Sequence, residues 1–292
     1  MAKAAPVDDD RGVRKSRWVP YGLLSPGIIW LLLFFLVPVF MLVRASLSTK
    51  PSRFANPEFD WAWSNFSSAF SEYGDEFLRS FIYAGLATVF AILIGYPLAY
   101  WIATRGGRWK NVLIGLVVVP FFTSYLIRTI AWTSILQDQN PLVGFMQIFF
   151  GDDFRILATP AAVIGGLTYN FMSFMILPIY VSLEKIDFRL TEAAADLYGN
   201  AWTSFRKVVL PLSMPGVFAG SLLVFIPAAG DYLNARYLGS PRTTMIGTVV
   251  QNKFLVQFDF PQAAALSVVL MVIITVMVLI YSRFLGTEGL AV

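Results

Sequence analysis

Six separate stretches of this chain are apolar for long enough to cross a lipid bilayer, and that limits its fold more than any other feature. They fall at about 21–43, 77–103, 112–132, 158–183, 217–238 and 263–284. Hydrocarbon offers backbone N–H and C=O groups no partner, so a run of about 20 apolar residues must satisfy them internally, as a helix. The first run outlasts the roughly 7–15 apolar residues of a signal-peptide core, so it is expected to stay as an uncleaved span. Pro26 and Pro38 are placed to bend it. The expected fold is an all-α integral membrane protein with six transmembrane helices. Residues 1–18 form a polar cytoplasmic tail and 19–292 a single membrane domain, with no internal repeat.

Only 14% of the 292 residues are charged, against about 25% in soluble domains. Such a chain cannot cover a water-facing surface, and lipid must be its main surroundings. The absence of histidine and cysteine excludes imidazole or thiolate metal sites, cysteine nucleophiles and Ser-His-Asp triads. No catalytic and no metal-ligating residue is expected. The net charge of +4 is accounted for by cytoplasmic loops rather than by nucleic-acid binding. No Gly-x4-Gly-Lys-Ser/Thr phosphate loop occurs.

The basic residues orient the spans. With both termini in the cytoplasm, Arg11, Arg14, Lys15, Arg17, Arg105, Arg108, Lys110, Lys185, Arg189, Arg206, Lys207 and Arg283 all lie inside, as the positive-inside tendency requires. Residues 44–76 are then an outer segment rich in aromatics, suited to the interface or to packing over an outer mouth. Asn140-Pro141 opens a turn in a second outer segment, and 239–261 form a third.

Between the fourth and fifth spans lies a polar stretch, 184–213, that this orientation places in the cytoplasm. It reads as two short helices joined by a turn. Glu192-Ala193-Ala194-Ala195 favours helix and lets another surface come close, and Gly199-Asn200 ends it, since both residues tolerate a left-handed backbone. The second helix carries Trp202, Phe205, Val208 and Val209 at helical spacing. It is expected to stop at Leu210-Pro211, because a proline disfavours helix in the residue before it.

This stretch resembles the EAA loop of permease subunits of ABC importers, in which a Glu-Ala-Ala start, a turn glycine and a closing Leu-Pro dock on a cytoplasmic ATPase. The turn glycine falls one residue later here, with Tyr198 in its usual place. The resemblance implies that Glu192, Ala193, Ala194, Gly199, Trp202, Phe205, Leu210 and Pro211 couple the chain to that ATPase. Glu192 is placed to cap its helix start, where negative charge suits the dipole, or to pair with a basic residue of the partner. Trp202 and Phe205 either fill a pocket of the partner or pack back onto this chain's own spans.

Arg128 and Asp231 are the ionisable residues deepest in the expected spans, where a charge is costly unless paired or facing water. Both lie on the order of 20–25 Å up from the cytoplasmic ends, at 1.5 Å per residue. They are open to three readings: an ion pair forming part of an outer gate, an Asp231 facing a cationic substrate, or a purely structural pair. Tyr169 and Asn170 either line a polar path or hydrogen-bond between helices. Pro97, Pro120, Pro178 and Pro227 are expected as kinks or hinges.

Three further segments resemble the permeases of polyamine importers. They are Gly95-Tyr-Pro-Leu-Ala-Tyr100, Pro120-Phe-Phe-Thr-Ser-Tyr-Leu-Ile-Arg128-Thr-Ile-Ala-Trp132 and Phe225-Ile-Pro-Ala-Ala-Gly-Asp231-Tyr232. The resemblance implies spermidine or putrescine uptake across a bacterial inner membrane. It also implies a second homologous permease, two ATPase subunits that bind the ATP and magnesium, and an extracytoplasmic binding protein. This chain itself would carry no cofactor. Import of another small solute stays open, as does an ion-coupled secondary transporter, though the latter usually places several acids at mid-membrane.

Overall fold

A computed structural model describes residues 19–50, 52, 56–151, 153–187, 189, 196 and 200–285. The expected tail 1–18 lies outside these residues, as do Glu192, Ala193, Ala194 and Gly199. The chain divides into two units, 1–44 and 45–292.

Among the described residues, five helices are long and apolar enough to cross a membrane. They are α1 (Tyr21–Ser46), α2 (Ser64–Arg105), α6 (Pro160–Glu184), α7 (Trp202–Ala229) and α10 (Phe260–Leu285). The stretch expected as a third span is not one straight helix. It is α3 (Lys110–Val118), a 3-10 turn over Val119–Phe122, and α4 (Tyr125–Ile135), with the two arms bent by 91°. Pro120 accounts for the break: it has no N–H to give the preceding turn, and its ring collides with the carbonyl four residues back. Thr123 and Ser124 then turn extended, with ψ of 142° and 129°. Counting spans therefore gives five, or six if the bent pair is one.

Three other expectations are corrected. The second helix begins at Ser64 rather than 77 and runs 42 residues, kinked at Tyr73. At 1.5 Å per residue that is about 63 Å, roughly twice the hydrocarbon thickness. The fifth span does not reach 238. It ends at Ala229, and a separate short helix, α8 (Leu233–Leu238), follows a break. The helix carrying Trp202 does not stop at Leu210-Pro211, because a π-turn over Phe205–Val209 carries it into the span. There the Leu210 N–H reaches the Phe205 carbonyl. The widened turn takes the carbonyl that Pro211 would strike out of its ring's way. In α1 a π-turn over Leu32–Leu36 precedes Pro38 at the same offset.

The core is the packing of α2, α6 and α7, with Ile102, Met175, Ile179 and Leu183 fully enclosed. Lipid is as apolar as leucine, so close backbone approach and interhelical hydrogen bonds hold such helices together. A Cβ on Gly216 would lie 2.4 Å from the Pro178 carbonyl oxygen, and one on Gly220 2.9 Å from the Met175 sulfur. Both glycines let α7 lie against α6. The Tyr96 hydroxyl meets Ser213 Oγ at 2.7 Å between α2 and α7. Ser173 donates from α6 to the Val117 carbonyl at 2.8 Å.

The connections carry a two-residue antiparallel pair, Ser48–Thr49 with Glu58–Phe59, and two more helices. These are α5 (Pro141–Phe150) and α9 (Ile246–Leu255). Asn140 caps α5 by accepting the Leu142 N–H at 3.1 Å, with Pro141 in the first turn, where its missing N–H costs nothing.

Candidate functional site

The break after α7 builds the polar centre of the molecule. Gly230 leaves helical geometry, and the Asp231 N–H closes back on the Ala228 carbonyl at 3.2 Å. Asp231 then accepts the backbone N–H of Asn234 at 2.8 Å, satisfying one free donor at the start of α8. Its charge also suits the positive end of that helix. The start of α9 lies directly on this break. A Cβ at Gly247 would sit 2.4 Å from the Gly230 carbonyl oxygen and 2.7 Å from that of Asp231, so glycine is required there. On the other side, a Cβ at Gly166 of α6 would come 2.6 Å from Asn234 Oδ1 and 2.3 Å from Leu238.

Four elements meet at this centre. From α4, Tyr125 donates its hydroxyl to Asp231 Oδ2 and accepts from Asn234 Nδ2 at 2.6 Å. The same Nδ2 lies 3.2 Å from Asp231 Oδ1. Asn170 of α6 donates to Asn234 Oδ1 at 3.1 Å and to Thr129 Oγ1 at 3.3 Å. Thr129 in turn donates to the Tyr125 carbonyl at 3.1 Å. Asp231, Asn234, Asn170 and Thr129 are all buried. A carboxylate this deep in apolar surroundings is tolerable because three donors surround it.

Arg128 joins without pairing to Asp231. Neither ion pair formed among the described residues includes it. Its guanidinium lies 5.7 Å from the Tyr125 ring centre, a cation–π contact. Its Nη1 reaches the Asn170 carbonyl at 3.5 Å. The expected direct pair is thus replaced by Tyr125, whose hydroxyl serves the acid and whose ring face serves the base. The adjacent Tyr169 lies apart from this network: its ring packs edge-on against Trp132 at 5.3 Å and stays partly exposed.

Of the four expected path residues, the structure therefore joins Arg128, Asn170 and Asp231. Tyr125, Thr129 and Asn234 were missed by sequence reasoning. Asn234 stands three residues after Asp231, the spacing of a helix cap, and that signal was available once a helix start was considered there. Tyr125 and Thr129 had no such signal, because they reach the centre only through the 91° bend.

At the other end of α7, the aromatic pair of the expected coupling loop divides its roles. Phe205 packs back on α2, edge-on to Tyr96 at 5.9 Å and Tyr100 at 5.4 Å. Trp202 stacks on Phe205 at 5.6 Å and is 67% exposed. Tyr96, Pro97, Tyr100, Trp202 and Phe205 line a groove of about 390 Å³. Leu210 packs against the core, while Pro211 is exposed.

Comparisons with known proteins point one way. Residues 66–286 match the model of the family described as binding-protein-dependent transport system inner membrane component. The spermidine/putrescine transport system permease protein PotB of Haemophilus influenzae is 36% identical over 259 residues, 87% of this chain and 90% of that protein. The protein of the same name in Escherichia coli K12 is 34% identical over 87% of this chain and 93% of its own length. Among solved structures, a bacterial ABC transporter involved in import of the acidic polysaccharide alginate superposes with a TM-score of 0.67. That match is at 19% identity and covers 92% of this chain and 95% of the other. The MetNI methionine ABC transporter gives 0.56 at 17% identity, over 72% and 93%.

Proposed function

The chain belongs to the family of binding-protein-dependent transport system inner membrane components, and on that footing we propose that it is one half of the membrane path of a polyamine importer. The substrate class rests on one observation: 34–36% identity to permeases named for spermidine and putrescine, over 87% of the chain. A second, homologous permease completes the path. Two ATPase subunits bind ATP and magnesium in the cytoplasm, and an extracytoplasmic binding protein delivers the solute. Six spans are counted by taking the bent pair as one, with both termini and the loop 184–213 in the cytoplasm.

In this reading the loop receives the motion of the ATPase and α7 transmits it. That helix begins at Trp202, at the loop, and ends at the Asp231 break, in the outer half of the membrane. Movement of its inner end is therefore applied to the network that joins α4, α6 and α8. Glu192, Ala193, Ala194 and Gly199 form the first half of the coupling surface, and Trp202 contributes the exposed part of the second.

The test is ATPase activity of the purified complex, adding binding protein loaded with spermidine or putrescine, with and without Glu192→Lys. Stimulation by a loaded polyamine, lost in an assembled variant, is the expected result. Stimulation only by an unrelated solute would discard polyamines and keep the importer.

A further inference from the structure

Gly216 and Gly220 are required by what lies against them, but Gly85 of α2 is not. A Cβ there would meet nothing within 4 Å. Glycine weakens the interior of a helix, and no neighbour among the described residues demands it at 85. Gly85 instead faces a cavity of about 190 Å³ between α2, α7 and α10, walled also by Thr88, Ser221, Phe225, Met277 and Tyr281. Ring contacts close its two ends. Phe225 stacks on Phe81, one turn before Gly85, at 6.2 Å, and Tyr281 meets Phe218 edge-on at 5.9 Å.

The hydroxyls in the wall are already engaged. Thr88 donates to the Ala84 carbonyl and Ser221 to the Val217 carbonyl, each at 2.7 Å, and Tyr281 turns its hydroxyl to Ser221. A water needs roughly two to four polar partners, and an apolar cavity of about 150 Å³ in a water-soluble protein stays dry and admits benzene. By the same rule this space is dry. A partner helix, about 10 Å across with its side chains, is too wide to enter it. The three helices are long and apolar enough to span a membrane, so the matter at their surface is hydrocarbon. Met277, 38% exposed, stands at the rim and leaves a way in from lipid.

We propose that this cavity is a binding site for the acyl chain of a membrane lipid, for which Gly85 leaves room. The chain fills the gap between α10 and the packed pair α2 and α7, so that at this level α10 is held through lipid rather than through its own side chains. The inference rests on the cavity and holds whatever solute is transported.

The test uses the full-length chain with its co-purifying subunits in nanodiscs containing a phosphatidylglycerol with a diazirine midway along one acyl chain. After irradiation and proteolysis, mass spectrometry should find adducts on Phe225 and Met277 at several-fold the yield on Leu279 and Ile280, which are exposed on α10. Filling the space with Gly85→Leu, or from the opposite wall with Val278→Phe, should bring the two yields together. Either variant suffices where the other does not assemble. Adducts no richer in the cavity than on Leu279 and Ile280, or cavity adducts that persist in an assembled filling variant, would overturn the proposal. So would an unlabelled cavity from which a photoreactive phenylalanine at position 277 captures another subunit, since a protein side chain then fills the space.

Discussion

The Tyr125 hydroxyl donates to the Asp231 carboxylate across 106 residues of chain, tying α4, the second arm of the bent pair, to the break that ends α7. Asp231 is buried and Tyr125 partly so, which restricts exchange of this bond for bulk water. Tyr125→Phe should therefore cost about 1.5–3 kcal/mol, the range for a hydrogen bond to a charged group. It leaves Asp231 Oδ2 without its phenol and Asn234 Nδ2 short of an acceptor. Asp231→Asn should cost less than Asp231→Ala, because an amide keeps an oxygen for the Asn234 N–H. Thermal unfolding midpoints in one nanodisc composition would rank the three, and an equal loss for Asn and Ala would remove the capping role.

Neighbouring glycines in α6 should respond in opposite ways. At Gly165 an added Cβ meets nothing within 4 Å, whereas at Gly166 it meets Leu238 at 2.3 Å and Asn234 Oδ1 at 2.6 Å. Gly165→Ala should be neutral or stabilise by up to about 1 kcal/mol, since alanine is the better helix former. Gly166→Ala should destabilise by roughly 1–3 kcal/mol, the cost of overpacking, and displace α8 from α6. The same unfolding assay reads both, and similar midpoints for the two variants would show that α8 yields without cost.

The two stacked aromatics of the loop should separate stability from coupling. Phe205 is wedged against Tyr96 and Tyr100, so Phe205→Ala should lower stability by roughly 2–4 kcal/mol, toward the range for a core aromatic. Trp202 is largely exposed, and Trp202→Ala should leave stability within about 0.5 kcal/mol. If Trp202 meets the ATPase, that variant loses solute-stimulated ATP hydrolysis instead. Loss of stability in both variants, with coupling intact, would confine the pair to the fold of this chain.

How far these features were legible depends on which physical rule governed each. Helical periodicity and apolar length mark α1, α6 and α10 within a few residues, because lipid leaves a long apolar run no alternative. The same rule misplaced the third and fifth spans, where hydropathy stays high across Pro120 and across Gly230-Asp231 while the backbone turns. Arg128, Asn170 and Asp231 stood out because polar groups are rare in such company, yet their arrangement depends on the bend. An ion pair was the simplest expectation for two lone charges, and a tyrosine between them is not visible in spacing. Leu210-Pro211 looked like a stop because proline normally ends a helix, and only the π-turn before it allows continuation.

That π-turn leads to the last prediction. In both α1 and α7 a five-residue π-turn begins six residues before a proline, Leu32 before Pro38 and Phe205 before Pro211. Removing the ring at 211 removes the reason for the wide turn, and the segment should relax to regular α-helix. A change of one residue in register rotates everything on the loop side by about 100° relative to the span. Phe205 would then leave Tyr96 and Tyr100, and the loop would present a different face to the ATPase. The chain has no cysteine, so a Tyr100→Cys, Phe205→Cys pair can be bridged by a short bis-maleimide without background. Cross-linking should be efficient with Pro211 and fall several-fold with Pro211→Ala, while transport per ATP hydrolysed drops with it. Unchanged cross-linking would mean that the proline does not set the turn.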